Sequence, residues 1–172
     1  GMHVSDMTDM FNGALDRYDW ELVGKKELYV PYNAYRIHSK DVPNKDLVLA
    51  GYLAPDYLRY ELHRVWVVEA KLRSGAHHIN PRRTYYLDED SYQILMVDHY
   101  DDSGGLWRYS EAHPINFYEV PAFTSTTEVH YDLKAGRYAA FRLDPDQPVP
   151  PFNTQMDDGD FTPQSLRRRG RR

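Results

Sequence analysis

Residues 60–143 read as a succession of short strands joined by tight turns and loaded with Tyr and Trp. The stretch from Tyr60 to Leu72 alternates most cleanly, with Leu62, Trp66, Val68, Ala70 and Leu72 on one face and Glu61, His63, Glu69 and Lys71 on the other. Such a sheet buries a face only if something covers it, so the nature of that cover becomes the functional question.

Further along, Arg83 to Leu87 leads through Asp88-Glu89-Asp90-Ser91 into Tyr92 to Val97. A four-residue loop there would face Leu87 with Tyr92 and Tyr85 with Ile94. A polar turn at residues 98–105 feeds a strand through Leu106-Trp107-Arg108-Tyr109. The run Glu128 to Leu133 then alternates, and a three-residue loop, Lys134-Ala135-Gly136, would pair Leu133 with Arg137. Val129, Tyr131, Ala139 and Phe141 would then share a face, with Gly136 supplying a positive φ. The expectation is an antiparallel meander with Leu62, Trp66, Ile94 and Tyr131 on its covered side.

Upstream, Tyr18 to Val30 alternates around an interruption at Gly24, which suggests one bent strand or two short ones. Residues 1–10 show no period and are expected to form a flexible lead-in, with the sheet domain at residues 11–144. Residues 54–59, with Pro55 at a helix start, suggest a helical turn. Pro145, Pro148, Pro150 and Pro151 mark an extended segment within residues 145–172, and Thr162-Pro163 starts a short C-terminal helix that packs on the same domain. The fold class is therefore mainly β with minor α.

Composition narrows the partners. Five of the 21 Lys and Arg lie in residues 167–172; without them 16 basic residues face 26 acidic ones. So acidic a body repels phosphate backbones and argues against nucleic acid. The arginine tail reads as a solvated terminus. No apolar run spans a membrane, and the lack of cysteine removes disulfides, thiolate nucleophiles and thiolate metal sites. No signal peptide is legible, but Gly1-Met2 reads as a tag-cleavage scar, so this does not establish a cytoplasmic protein.

Motifs for chemistry are lacking. None of the eight His is spaced as a helical metal pair, and His63, His99 and His130 would have to converge across the sheet to bind an ion. The acidic runs Asp98, Asp101, Asp102 and Asp157, Asp158, Asp160 depart from the calcium-loop pattern and read as solvated turns. No Gly-x-Ser-x-Gly elbow supports a Ser-His-Asp site. Neither catalytic residues, nor a metal, nor a cofactor is expected. The aromatic inventory is richer: Leu62, Trp66, Val68, Tyr85, Ile94, Met96, Trp107, Tyr109, Tyr131 and Phe141 fall on one face under this register, as either a core or the wall of a site for an amphiphilic ligand.

Several segments carry a family likeness: Gly13-Ala14-Leu15-Asp16-Arg17-Tyr18-Asp19-Trp20, Leu22-Val23-Gly24-Lys25-Lys26-Glu27, residues 60–70, Leu87-Asp88-Glu89-Asp90-Ser91, Phe161-Thr162-Pro163 and Leu166-Arg167-Arg168. Over residues 11–172 the chain resembles the C-terminal part of a proteobacterial secreted family of unknown function labelled outer-membrane lipoprotein-sorting protein. The resemblance implies a fold like that of the periplasmic carriers LolA and LolB, a strongly curved, unclosed half-barrel with helices on its concave side. It also implies a longer protein with a signal peptide and an N-terminal half outside this sequence.

In function it implies a periplasmic, non-enzymatic binding or transport-accessory protein for lipid-like cargo at the cell envelope, associated with a resistance-nodulation-division (RND) type exporter or an outer-membrane protein. The alternative is a protein–protein interaction module docking on such a partner. A continuous concave cavity favours the carrier, and a trough filled by the chain's own residues favours the module.

Overall fold

The computed structural model describes residues 2–143, 151, 152 and 154–170. Seven strands, β1 (Tyr18–Pro31), β2 (Tyr60–Leu72), β3 (Arg82–Asp88), β4 (Ile94–Tyr100), β5 (Leu106–Phe117), β6 (Ala122–Asp132) and β7 (Arg137–Phe141), pair antiparallel in chain order, and the sheet is unclosed, with β1 and β7 at its edges. The meander is the one that alternation predicts. β1 is a single bent strand, because Leu22 pairs with Val68 and Gly24 with Val67, leaving Val23 as an extra residue. Gly24 has φ 136°, where a side chain would be strained.

Both hairpins depart from the expected register for the same reason. In the β3–β4 loop the Asp88 carboxylate accepts the Ser91 N–H at 2.9 Å and its hydroxyl at 2.7 Å, and in the β6–β7 loop Asp132 accepts the Ala135 N–H at 3.1 Å. Each aspartate curls its loop back on itself and draws more of the chain into the turn, two residues in the first loop and one in the second. Leu87 therefore pairs with Ile94 rather than Tyr92, and Asp132 rather than Leu133 pairs with Arg137. Val129 and Tyr131 consequently share a face with Ala140 and Tyr138, while Ala139 and Phe141 lie on the other. Gly136 does take a positive φ, 62°.

The sheet is tightly curled. In a flat sheet β1 and β5 would lie about 19 Å apart, four strand spacings, yet Cα atoms of β1 come within 8 Å of both β4 and β5. On the inside of the curl Val30, Val65, Leu95 and Met96 pack together, joined by Leu28, Tyr109 and Phe123. The connection from β1 to β2 holds a one-turn helix α1 (Asn44–Leu47) and a 3₁₀ turn at Pro55–Tyr57, as the proline there predicts. It lays Ala34, Ile37, Leu47 and Leu53 against Ile115 and Val129 and so fills the rest of the concave side.

The convex side is covered too, which a reading of one covered face does not anticipate. Residues 2–14 form a strap across it, with 3₁₀ turns at Ser5–Met10. Met7 and Met10 are fully buried, so this segment is packed, not frayed. Met10 and Phe11 cap a cluster of Tyr18, Ala70, Tyr85, Val97 and Ala112. Asp9 and Met10 both have positive φ, 52° and 65°, a conformation that costs a non-glycine residue about 1–2 kcal/mol. At the other end Thr162 accepts the Ser165 N–H at 3.2 Å and caps helix α2 (Pro163–Arg169), as its sequence predicts. The expected proline-rich stretch at residues 145–150 lies outside the described residues.

One buried carboxylate ties the curl together. Glu111, on β5, accepts the hydroxyls of Tyr60 at 2.9 Å and Tyr109 at 3.2 Å on one oxygen, and Tyr131 and the His113 Nε2 at 3.3 Å each on the other. Burial pushes its pKa up, but the bonds from His113, Tyr60 and Tyr109 outweigh burial and hold it below the ordinary value. Burial, together with the nearby Glu111 charge, pushes the Tyr60 and Tyr109 phenols well up. Glu111→Gln keeps the shape but faces the phenols with an N–H donor and one acceptor oxygen. It should destabilise the fold by about 3 kcal/mol in urea titrations, against about 1 kcal/mol for Tyr60→Phe.

Candidate ligand-binding face

Strand pairing divides the ten residues expected on one aromatic face. Leu62, Trp66, Val68, Tyr85, Ile94 and Phe141 lie on the convex side, whereas Met96, Tyr109 and Tyr131 lie on the concave side. The physical reason is Leu95, an unpaired residue between the pairs Leu87–Ile94 and Tyr86–Met96, which shifts the alternation by one. Met96 belongs to the concave core, and Tyr109 and Tyr131 are held by Glu111. Trp107 sits in a second bulge, under the Arg108 guanidinium at 4.0 Å. Phe141 lies 4.7 Å from the His3 ring of the strap.

What remains together on the convex side has an open end and a covered end. Beyond Tyr18, Trp20 and Ala70 the strap leaves β1 and β2 uncovered, and Leu22 is 63% exposed and Leu62 56%. Leu22 pairs with Val68 and Tyr29 with Leu62, so these side chains form one apolar stripe, crossed midway by Lys25, whose Nζ stands 4.3 Å above the Trp66 ring. Lys25 and Arg64 both bind Glu89 at 2.7 Å. Trp20 links this stripe to the covered cluster, lying 5.4 Å from Phe11 and 5.7 Å from Tyr85.

Beneath the strap the same face turns polar. Arg83, 0% exposed, donates from Nη2 to Asp6 Oδ2 at 2.5 Å and to the Tyr18 hydroxyl at 2.6 Å. Tyr18 in turn donates to the Asn80 carbonyl at 3.0 Å. His78 Nδ1 accepts the Asn80 N–H at 3.0 Å, so Nε2 carries the proton it directs at Asp6 Oδ2, 2.9 Å away. Burial raises the Asp6 pKa, but its hydrogen bonds from His78 and Arg83 prevail and hold it at about 2. Sequence reading did not single out Arg83. The available signal was its parity, since it shares a strand face with Tyr85 and Leu87.

A third group lies farther along the covered side. His99 Nε2 and His130 Nδ1 approach the Ser110 hydroxyl at 2.9 and 2.7 Å. One hydroxyl proton serves only one ring nitrogen, so the other ring donates to the oxygen. His63 is elsewhere, stacked on Tyr32 at 3.8 Å. Among the described residues no three His, Asp or Glu side chains come together as metal ligands. The acidic runs serve turns: Asp101 accepts the N–H groups of Ser103 and Gly105 at 3.0 Å, and Asp157 and Asp160 form a capping box.

Burial, reinforced by Arg83, drives the His99 pKa far down, and burial with the His3 charge lowers that of His130 to about 4. Both rings are therefore neutral in the fold and take up protons more readily when unfolded. Their contribution to stability is fully present above pH 6.5 and is lost as pH falls toward about 4. For His130 that window corresponds to about 3 kcal/mol. Denaturation midpoints should fall steeply from pH 6.5 to 4, and His130→Asn should flatten the slope.

Three comparisons with known proteins bear on this architecture. The family model described as "Protein of unknown function (DUF1329)" matches residues 1–167. An uncharacterized protein of Pseudomonas aeruginosa, PA3922, is 44% identical over 171 residues, which are 99% of this chain and 38% of that protein, so the chain spans well under half of its relative's length. Among solved structures, one described as an outer membrane lipoprotein-sorting protein domain from Vibrio parahaemolyticus aligns with TM-score 0.49 and 13% identity over 92% of this chain and 52% of its own. A DUF1329 family protein from Desulfovibrio piger aligns with TM-score 0.47 and 14% identity, covering 92% of this chain and 53% of its own. The chain belongs to the DUF1329 family of proteins of unknown function.

Proposed function

We propose that the convex face holds a lipid-like or other hydrophobic molecule, and that the protein is a non-enzymatic binding or transport-accessory component of the cell envelope, working in the periplasm. One observation carries this reading: Leu22 and Leu62 stay more than half exposed on the very face whose apolar surface continues, through Trp20, into the covered cluster around Tyr85. A single exposed leucine is ordinary, but a stripe continuous with a core is not. Each CH₂ of an acyl chain laid along it contributes roughly 0.8 kcal/mol. Leu62, Trp66, Val68, Tyr85, Ile94 and Phe141 are the proposed wall. The oxygens of Ser110 and Glu111, the groups nearest to catalytic types, are buried and engaged with neighbouring side chains, in keeping with a binding role.

A second reading has its own support. The concave side is filled by the chain's own residues, and among the described residues nothing pairs with the outer edge of β1, fourteen residues long. A strand from an exporter or outer-membrane partner would add there. Among the described residues no helix is long and apolar enough to cross a membrane.

Titration with a fluorescent fatty acid separates the two. A carrier binds saturably, more tightly as the chain lengthens and almost independently of salt, and the double variant Leu22→Ser/Leu62→Ser weakens binding roughly tenfold or more. A folded protein without saturable binding would leave the interaction module as the better reading.

A further inference from the structure

Arg83 is a fully buried cation, and the carboxylate that answers it belongs to Asp6, brought in by the strap from 77 residues away. Two donors, Arg83 Nη2 and His78 Nε2, converge on one oxygen of that carboxylate. The other oxygen, Asp6 Oδ1, makes no hydrogen bond among the described residues. Neither does either side-chain atom of Asn80, and Arg83 Nε and Nη1 bond no carboxylate, with the Tyr85 hydroxyl close to the guanidinium; all of these groups are buried. Buried polar groups are ordinarily paired, so this nest offers more hydrogen-bonding capacity than Asp6 uses.

The strap is also an awkward occupant. Asp9 and Met10 reach their places only through positive φ. The segment is pinned by Arg142 on Asp9, by Glu128 accepting the Asp9 and Met10 N–H groups, and by Arg108 Nη1 donating to the Met2 carbonyl at 3.1 Å. Four residues from the carboxylate, the unbranched side chain of Met10 lies among Ala70, Tyr85 and Val97. A carboxylate at one end and a flexible apolar chain at the other is the outline of a fatty acid.

We propose that Arg83, Tyr18 and His78 form the head-group subsite for an amphipathic carboxylate, and that Asp6 and Met10 occupy it as a built-in stand-in that the ligand displaces. This rests on the reading of the convex face as the cargo surface and adds the chemistry of the cargo's polar end. The acyl chain then runs from the Arg83 nest past Tyr85 and Trp20 toward Leu22, so that one face supplies both ends of the site. Charge complementarity selects the head group: the buried guanidinium is paired by a carboxylate already, and an alcohol brings no charge to replace it.

The test uses the whole chain with dodecanoate and, as the uncharged control of equal length, dodecanol, followed by calorimetric titration. Wild type should prefer dodecanoate. Asp6→Asn, which removes the competing charge, should bind dodecanoate roughly tenfold more tightly, and Asp6→Asn/Arg83→Gln should lose the preference over dodecanol. Because changing a buried ion pair risks the fold, hydrogen exchange on wild type provides an independent arm: dodecanoate, and not dodecanol, should deprotect the amides of residues 7–13. Equal binding of both compounds by wild type and Asp6→Asn, with strap amides unchanged, overturns the head-group subsite and leaves the hydrophobic-cargo reading standing. Binding of neither compound overturns both.

Discussion

Curling a seven-stranded sheet until β1 approaches β5 brings backbone and side chains together that a flat sheet would keep far apart, and Glu111 is where that closeness becomes an interaction. A carboxylate has about four acceptor positions, and here three phenols and an imidazole fill them. Tyr60 comes from the first residue of β2 and the rest from β5 and β6, so the charge is satisfied only when the curl is complete. Removing one donor leaves a buried charge short of a partner, and flattening the sheet would remove Tyr60, the donor that reaches Glu111 from β2. The concave side thereby gains a reason to be polar at its centre.

The consequence for function is a division of labour between the faces. Tyr109 and Tyr131, which sequence pattern suggests as ligand contacts, serve the Glu111 cluster. The aromatic ladder from Tyr109 through Tyr131 to Tyr138, stacked at 6.1 and 5.6 Å, belongs to the packing of the inside. The convex face is different in kind. It has exposed leucines at one end and a guanidinium sealed under a strap at the other, and its aromatic residues stand between the two.

Much of the architecture was legible because period-two alternation, Gly136 and Thr162-Pro163 are local signals, each read within a few residues. The illegible part is tertiary or depends on a single side chain. Asp88 and Asp132 lengthen their loops through carboxylate bonds that propensity does not register, and the single residue added at Asp132 inverts the facing of β7. Leu95 is an ordinary strand residue by composition and gives no sign that it is unpaired. The strap lacks any period, since Met7 and Met10 are buried by 3₁₀ turns and left-handed residues. Arg83 was in plain view by parity, but its partner lies 77 residues earlier in the chain.

The phase of β4 on either side of Leu95 sets a limit on how this chain can vary in length. Upstream of it, even-numbered residues such as Ile94 point outward; downstream, odd-numbered ones such as Val97 and His99 do. Deleting Leu95 would leave an unbroken ladder with Ile94 still opposite Leu87 and Met96 opposite Tyr86, but adding or removing one residue beyond it, between Met96 and His99, would carry His99 toward the hydrophobic interior of the curl, altering both surfaces in a single event. Point substitutions can be absorbed one face at a time, but a change of phase cannot. Insertions and deletions should therefore be confined to the turns and to the bulge position itself, and two related chains that differ by one residue elsewhere within β4 must have rebuilt the inside and the outside together.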